Sequence, residues 1–390
     1  MTRSMTCSAG PWLAALLVLG YGAPLAAGQA PLGLPPVPIP ADNPQTPAKI
    51  RLGELLFNDQ RFSADGKVSC ATCHSPDLAF TDGLPVSEGF RGQTGTRNAP
   101  TVINSAYMQT LFWDGREPDL ESQSMQPPIN PVEGGLADHQ PIVDVIRATP
   151  SYRGAFADAF GIDPDEITME HVAKAIASFE RTLVAGNSAF DRYLYGGETD
   201  AMTPSQIRGL EVFRGKGRCV SCHVIEQDQA LFTDNRFHNI GVGFKRIRGA
   251  EEQTAAAWIE AKRAGADTDE TVLTQANVSE LGRFAVSEDM TEVGAFKTPT
   301  LRNIAATAPY MHDGSLATLG DVIEFYDNGG RVEADDPLSD FLSGGIRPLG
   351  LTEQEEDDLI NFLHALTSPD YADETQTRAA AAPANTASTD

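Results

Sequence analysis

Two five-residue blocks constrain this 390-residue chain more than any other feature: Cys70-Ala71-Thr72-Cys73-His74 and Cys219-Val220-Ser221-Cys222-His223. Each offers two thiols and an imidazole in the Cys-x-x-Cys-His spacing, which lets the thiols add across the vinyl groups of a haem while the histidine binds its iron. A zinc site on the same thiols would need further Cys or His ligands at zinc spacing, and neither block has them nearby. The blocks therefore predict two covalent haem c groups, one on Cys70, Cys73 and His74 and one on Cys219, Cys222 and His223. The fifth cysteine, Cys7, falls in a segment expected to be removed, so no thiol is left for a disulfide.

Residues 1–30 read as a secretory signal, with Arg3 as the positive end, an apolar run from Pro11 to Leu19 and small residues from Ala26 to Ala30. That run is shorter than the ~20 residues needed to span a bilayer, and no other stretch approaches it, so export to the periplasm without a membrane span is expected. Residues 31–45 are rich in proline and lack hydrophobic periodicity, which predicts a linker or arm. Residues 371–390, small and polar towards the end, predict a disordered tail. The remaining body suffices for two domains of roughly 150 residues, at 46–195 and 196–370.

The body repeats itself. Thr46-Pro47 and Thr203-Pro204 each supply an N-cap and a first helical residue, followed by apolar residues at helical spacing: Ile50, Leu52, Leu55 and Leu56 in one copy, Ile207, Leu210 and Phe213 in the other. A Cys-x-x-Cys-His block follows each helix, then Phe80-Thr81-Asp82 or Phe232-Thr233-Asp234. Each half closes on an amphipathic helix, with Val172, Ile176, Phe179 and Leu183 on one face in the first and Leu359, Phe362, Leu363 and Leu366 in the second, behind a Thr352/Glu355 capping box. Strand signals are few. The fold expected is mainly α, two tandem cytochrome c-like domains with one haem each.

With 54 acidic against 29 basic residues the net charge is −25. Nucleic acid, which demands a basic face, is excluded as a partner, and a positively charged protein surface is favoured.

An iron held by one histidine leaves a sixth position whose occupant separates electron carriage from chemistry. Of the other histidines, His171 and His364 lie on helices where packing explains them, and His139 sits in a polar segment. Beyond the haem blocks, the chain resembles the bacterial di-haem cytochrome c peroxidase family, and within it the MauG-like branch of MauG and MbnH type. The resemblance runs through Asn98-Ala99-Pro100-Thr101, Phe112-Trp113-Asp114-Gly115-Arg116, Asn130-Pro131-Val132-Glu133, Phe179 to Leu183 with Phe190-Asp191, Phe296 to Asn303, and Pro309-Tyr310-Met311-His312-Asp313-Gly314.

The resemblance implies roles residue by residue. Ordinary members carry a distal histidine just before the Asn-Ala-Pro-Thr block; here residues 88–93 contain none and Phe90 aligns with it, implying a first haem open to peroxide. Glu133 matches the acid-base carboxylate beside that haem, and Gln123 and Pro127 match residues lining the same pocket. Ala295 stands where electron-transferring members have a methionine ligand, and Tyr310 matches the tyrosine that ligates the second iron in the MauG-like branch. Trp113 matches the tryptophan between the haems. The family also implies a calcium ion, with Asn98 as side-chain ligand and carbonyls from Val286 to Asp289. Trp258 lies in an insertion around residues 251–270 expected at the surface.

What the branch implies is an enzyme that uses hydrogen peroxide to bring both irons near the Fe(IV) level and then oxidises a tryptophan or similar side chain on a periplasmic partner protein. The alternative is a conventional peroxidase that reduces peroxide with electrons from a small cytochrome or cupredoxin, with Met290 or Met311 as the second haem's ligand.

Overall fold

The structure, a computed structural model, describes residues 30–332 and 338–373. The expected signal up to residue 29 and the expected tail from residue 374 lie outside the described residues. The fold is mainly helical, and the only sheet among the described residues pairs Phe237–His238 antiparallel with Phe296–Lys297.

Each half is built on one pair of crossed helices. Pro47–Phe57 packs on Met169–Glu180, and Pro204–Arg214 packs on Glu353–His364. Thr46 and Thr203 cap the opening helices by accepting the N–H of Lys49 and of Gln206, with proline in the first turn as expected. The crossings are close because a glycine sits at each: a Cβ on Gly53 or Gly209 would overlap the carbonyl oxygen of Ala175 or Asp358. Leu52, Leu56 and Phe57 then meet Val172, Ala175 and Ile176, while Leu210 and Phe213 meet Leu359, Phe362 and Leu363. Burying each large apolar side chain contributes about 1.5–3 kcal/mol.

The closing helices stop at Glu180 and His364, just short of Leu183 and Leu366, which periodicity placed on them. Instead the Leu183 and Leu366 carbonyls accept the backbone N–H of Asn104 and Asn303, at 2.8 and 3.1 Å. Both asparagines are left-handed, with φ of 64° and 59°. The two halves therefore match in their loops as well as in their helices.

The proline-rich stretch at 31–45 is an arm laid as a strap against both halves and tied to each by side-chain hydrogen bonds. Gly33 O accepts from Arg302 Nη2 at 2.6 Å, Pro35 O accepts from the Tyr107 hydroxyl at 3.0 Å, and buried Asn43 donates to Glu121 and to Lys174 O. Periodicity is silent about a segment held by such tertiary bonds. The insertion with Trp258 is not a surface appendage: Trp258 is 1% exposed. Its ring packs in a core with Ile247, Leu281, Phe284 and Val132, and its Nε1 donates to Ala285 O at 2.9 Å. Helix Glu251–Arg263 shows weak amphipathicity in sequence, so its buried face was not legible there.

Candidate active site

Each Cys-x-x-Cys-His block opens onto its own cavity. The first, about 180 Å³, is lined by Cys70, Cys73 and His74; the second, about 700 Å³, by Cys219, Cys222 and His223. His74 Nδ1 donates to Phe80 O at 3.2 Å and His223 Nδ1 to Phe232 O at 2.8 Å. Those bonds fix the tautomer in which Nε2 carries a free lone pair, the form that binds a metal. Burial lowers the pKa of both imidazoles, which keeps them neutral. The carbonyls are aimed by left-handed turns at Phe80 and Phe232, with φ of 55° and 53°. Thr101 and Thr300 hold the same turns through hydroxyl bonds to Ala79 O and Leu231 O, each at 2.7 Å. The repeated Phe-Thr-Asp triplets are thus the sequence mark of a repeated histidine clamp.

Glu133, Gln123 and Pro127 all line the first cavity. Burial, helped by the charge of Asp269 and opposed by Arg116, pushes the Glu133 carboxyl up to about 7, and its Oε2 is enclosed without a hydrogen-bond partner. His74 is the only histidine among the lining residues. Phe90 does not line the cavity; its N–H donates to Glu133 O at 2.7 Å and its ring covers Gly135 beneath the Arg91 guanidinium.

Behind Glu133 lies a buried ion network that sequence reasoning missed. Asp114 accepts from Arg97 at 3.3 Å and from Arg116 at 3.0 Å, and Arg116 also reaches Asp269 at 2.7 Å. Asn130 Nδ2 donates to the same Asp269 carboxylate at 2.7 Å. Asp114 and Arg116 stand in the quoted Phe-Trp-Asp-Gly-Arg block, but Asp269 comes from the insertion, and no local signal connects them. Leu273, on the helix Thr268–Thr274 that carries Asp269, lines the first cavity, so the second half of the chain contributes to the first site.

Trp113 lines both cavities, together with Asn98, Pro100, Leu111 and Phe112. Its Nε1 donates to Asn98 O at 2.8 Å. The wall is closed by a reciprocal pair of backbone bonds, Lys297 N–H to Trp113 O and Asn98 N–H to His312 O, each 2.8 Å. Asn98 Nδ2 donates to Leu84 O at 2.9 Å. The Val286–Asp289 segment is not brought to it by any hydrogen bond or cavity wall among the described residues. Val286 O instead accepts from the Lys262 ammonium, which also pairs with Glu288 at 3.1 Å.

Tyr310 and Met311 both line the second cavity with His223, whereas Ala295 is buried outside the lining and Met290 is exposed. The Tyr310 hydroxyl donates to Ile304 O at 3.1 Å. His139 and His171 serve packing and capping: His139 Nε2 meets Met125 O, and His171 caps Thr168 and packs edge-on to Phe160.

The sequence profile of the di-haem cytochrome c peroxidase family matches residues 47–199. The chain is 38% identical to the cytochrome-c peroxidase IdrP1 of Denitromonas iodatirespirans, the match covering 88% of each protein. It belongs to the di-haem cytochrome c peroxidase family. Within that family it is also 36% identical to the methylamine utilization protein MauG of Methylorubrum extorquens, over 85% of this chain and 81% of that one. The crystal structure of a MauG-like protein associated with microbial copper homeostasis shares the fold with a TM-score of 0.71 at 35% identity, covering 87% of this chain and 95% of that one.

As a di-haem peroxidase the protein is an oxidoreductase acting on peroxide, and membership implies two haem c groups. The donor sets fit them. Burial pushes the Cys70, Cys73 and Cys219 thiols up to about 12, which holds them as neutral thiols. Each pair faces a cavity already furnished with a neutral, oriented imidazole. No helix among the described residues is long and apolar enough to cross a membrane.

Proposed function

We propose that the protein is a periplasmic, MauG-like enzyme that spends hydrogen peroxide at the first haem to oxidise a tryptophan or similar side chain of a partner protein, which docks outside both haem sites. The observation that carries the reading is the contrast between the cavities: the first is lined by one histidine, His74, and the enclosed Glu133 carboxylate, the second by His223 with Tyr310, its other histidines His238 and His312 being paired with Asp234 and Glu280. Bound on Cys70, Cys73 and His74, a haem supplies an iron able to accept peroxide and store its oxidising equivalents.

The protein's own groups do the rest. Glu133, with its carboxyl near neutrality, takes a proton from one peroxide oxygen and returns it to the departing one. Gln123 and Pro127 shape the space for that oxygen. Trp113 bridges the walls of both cavities, and its flat, oxidisable indole suits charge transfer between them. Tyr310 would hold the second iron as a phenolate donor, which would stabilise the oxidised state where a thioether would favour the reduced one. Asn98 would offer its side-chain oxygen to a calcium ion, as the family resemblance implies. A chain of net charge −25 docks partners with a positive face, and that docking weakens with salt.

The conventional peroxidase reading keeps one observation in its favour, since Met311 also lines the second cavity. Electron paramagnetic resonance of resting wild type, Tyr310→Phe and Met311→Leu decides the ligand: the reading expects one high-spin and one low-spin haem, with only the Tyr310 variant altering the low-spin signal. Mass spectrometry of candidate partners after peroxide treatment decides the reaction. Oxygen gained by a tryptophan of one partner supports the proposal, and rapid peroxide turnover with reduced cytochrome c and no modified protein overturns it.

A further inference from the structure

The internal repeat exposes one position where the two haem sites differ without an assigned reason. Gly53 lies against Ala175 O and Phe179 Cβ, and Gly209 lies against Asp358 O and Phe362 Cβ. Leu183 O and Leu366 O accept from the equivalent asparagines. This register pairs Glu180 with Leu363. Each is 5% exposed, and each lines the cavity of its own half. The second cavity has an apolar wall at this point. The first has a carboxyl group.

Nothing in the packing explains the carboxyl. Glu180 Oε2 is buried without a hydrogen-bond partner. Arg181, the adjacent cation, is committed to Glu121 through a bidentate pair at 2.8 and 2.7 Å. A buried, unpartnered carboxyl is expected to cost stability relative to the leucine used in the other half. Glu180 shares its cavity lining with the haem-attachment thiol Cys70, and after burial its charge is the next influence pushing that thiol up. Glu133 lines the same cavity, and after burial its charge is the next influence on Cys73.

We propose that Glu180 is the redox-linked proton carrier of the first haem, a carboxylic acid that releases its proton when the haem iron loses an electron and recovers it when the iron is reduced. On oxidation in titration one electron would pass from the ferrous haem to a mediator dye, and one proton would leave Glu180 for solvent. The carboxylate then neutralises the positive charge the iron has gained. Inside a cavity of low dielectric that attraction is far stronger than in water, so the two oxidation states hold the proton with different affinity. The groups that face Glu180 are consistent with this. Burial pushes it up to about 8, the cation of Arg181 opposes the shift, and Glu121 adds to it, so the acid is within reach of ionisation near neutral pH.

The inference rests on the first cavity holding haem c and not on the nature of the partner protein. Pyridine haemochrome spectra therefore come first, establishing two covalent haems in wild type, Glu180→Gln, Glu180→Leu and Glu133→Gln. Spectroelectrochemical titration without peroxide, from about pH 6 to about pH 10, then follows the high-spin haem. In wild type and Glu133→Gln its potential falls with pH across a window in which one proton accompanies each electron. In Glu180→Gln and Glu180→Leu that window is lost, while the second haem is unchanged. With both haems attached, a Glu180 variant that tracks wild type, a wild type that is itself flat, or loss of the window in Glu133→Gln overturns the proposal. If Glu180→Leu does not fold, Glu180→Gln, which keeps the shape and removes the proton, carries the test alone.

Discussion

The backbone N–H of Lys297 donates to the carbonyl of Trp113 at 2.8 Å, so the residue that walls both cavities is fixed to the segment carrying the second site. Together with the indole bond to Asn98 O, this holds the ring in one orientation. Trp113→Phe keeps the apolar wall and removes the easily oxidised indole. Both haems should stay attached, and rapid-mixing spectra should show equilibration of oxidising equivalents between them slowed at least about tenfold, a rise of about 1.4 kcal/mol in the barrier.

Glu133 acts as a base only when ionised. With its carboxyl held at about 7 in the folded protein, the rate of the peroxide reaction should rise with pH through that value and level off above it. Glu133→Gln should abolish the inflection and slow the reaction by about 10²–10⁴, with haem content unchanged. Stopped-flow measurements across pH read both effects.

Arg302 makes a bidentate pair with Asp191, both nitrogen–oxygen distances being 2.9 Å with the two side chains almost fully buried. The same guanidinium binds Ala230 O and Gly33 O at 2.6 Å, tying the strap to the second half. Arg302→Ala leaves a buried carboxylate unpaired, and chemical denaturation should show a loss of about 3–5 kcal/mol. Limited proteolysis should then cut the strap first.

Gly53→Ala and Gly209→Ala each place a methyl group against a helix carbonyl. Separating the crossed helices should cost about 1–3 kcal/mol or more. Because the opposing helices also present Glu180 and Leu363 to the cavities, the Gly53 variant should perturb the high-spin haem spectrum and the Gly209 variant the low-spin one.

Local chemistry determined much of this protein. The thiol–imidazole spacing, the Thr-Pro caps, the paired Phe-Thr-Asp triplets and the 3.6-residue periodicity are contained within a few turns of chain, so the two Cys-x-x-Cys-His blocks and the mainly helical fold could be read directly. The places of Glu133, Gln123, Pro127, Trp113 and Tyr310 came from ordered blocks resembling a known family, and all five line a cavity. Only the tertiary structure decided what depends on long-range contact. Trp258 is core because Val132, more than a hundred residues earlier in the sequence, packs in the same cluster. The proline-rich strap is ordered because Arg302 and Tyr107 donate to its carbonyls. Asp269 bears on Glu133 because the helix that carries it contributes Leu273 to the first cavity. Glu180 carried no separate signal within its block, and the matching contacts of Gly53 and Gly209 put it where the second cavity has Leu363. Burial is a property of the assembled core, and no window of sequence encodes which distant surface will cover a carboxyl group.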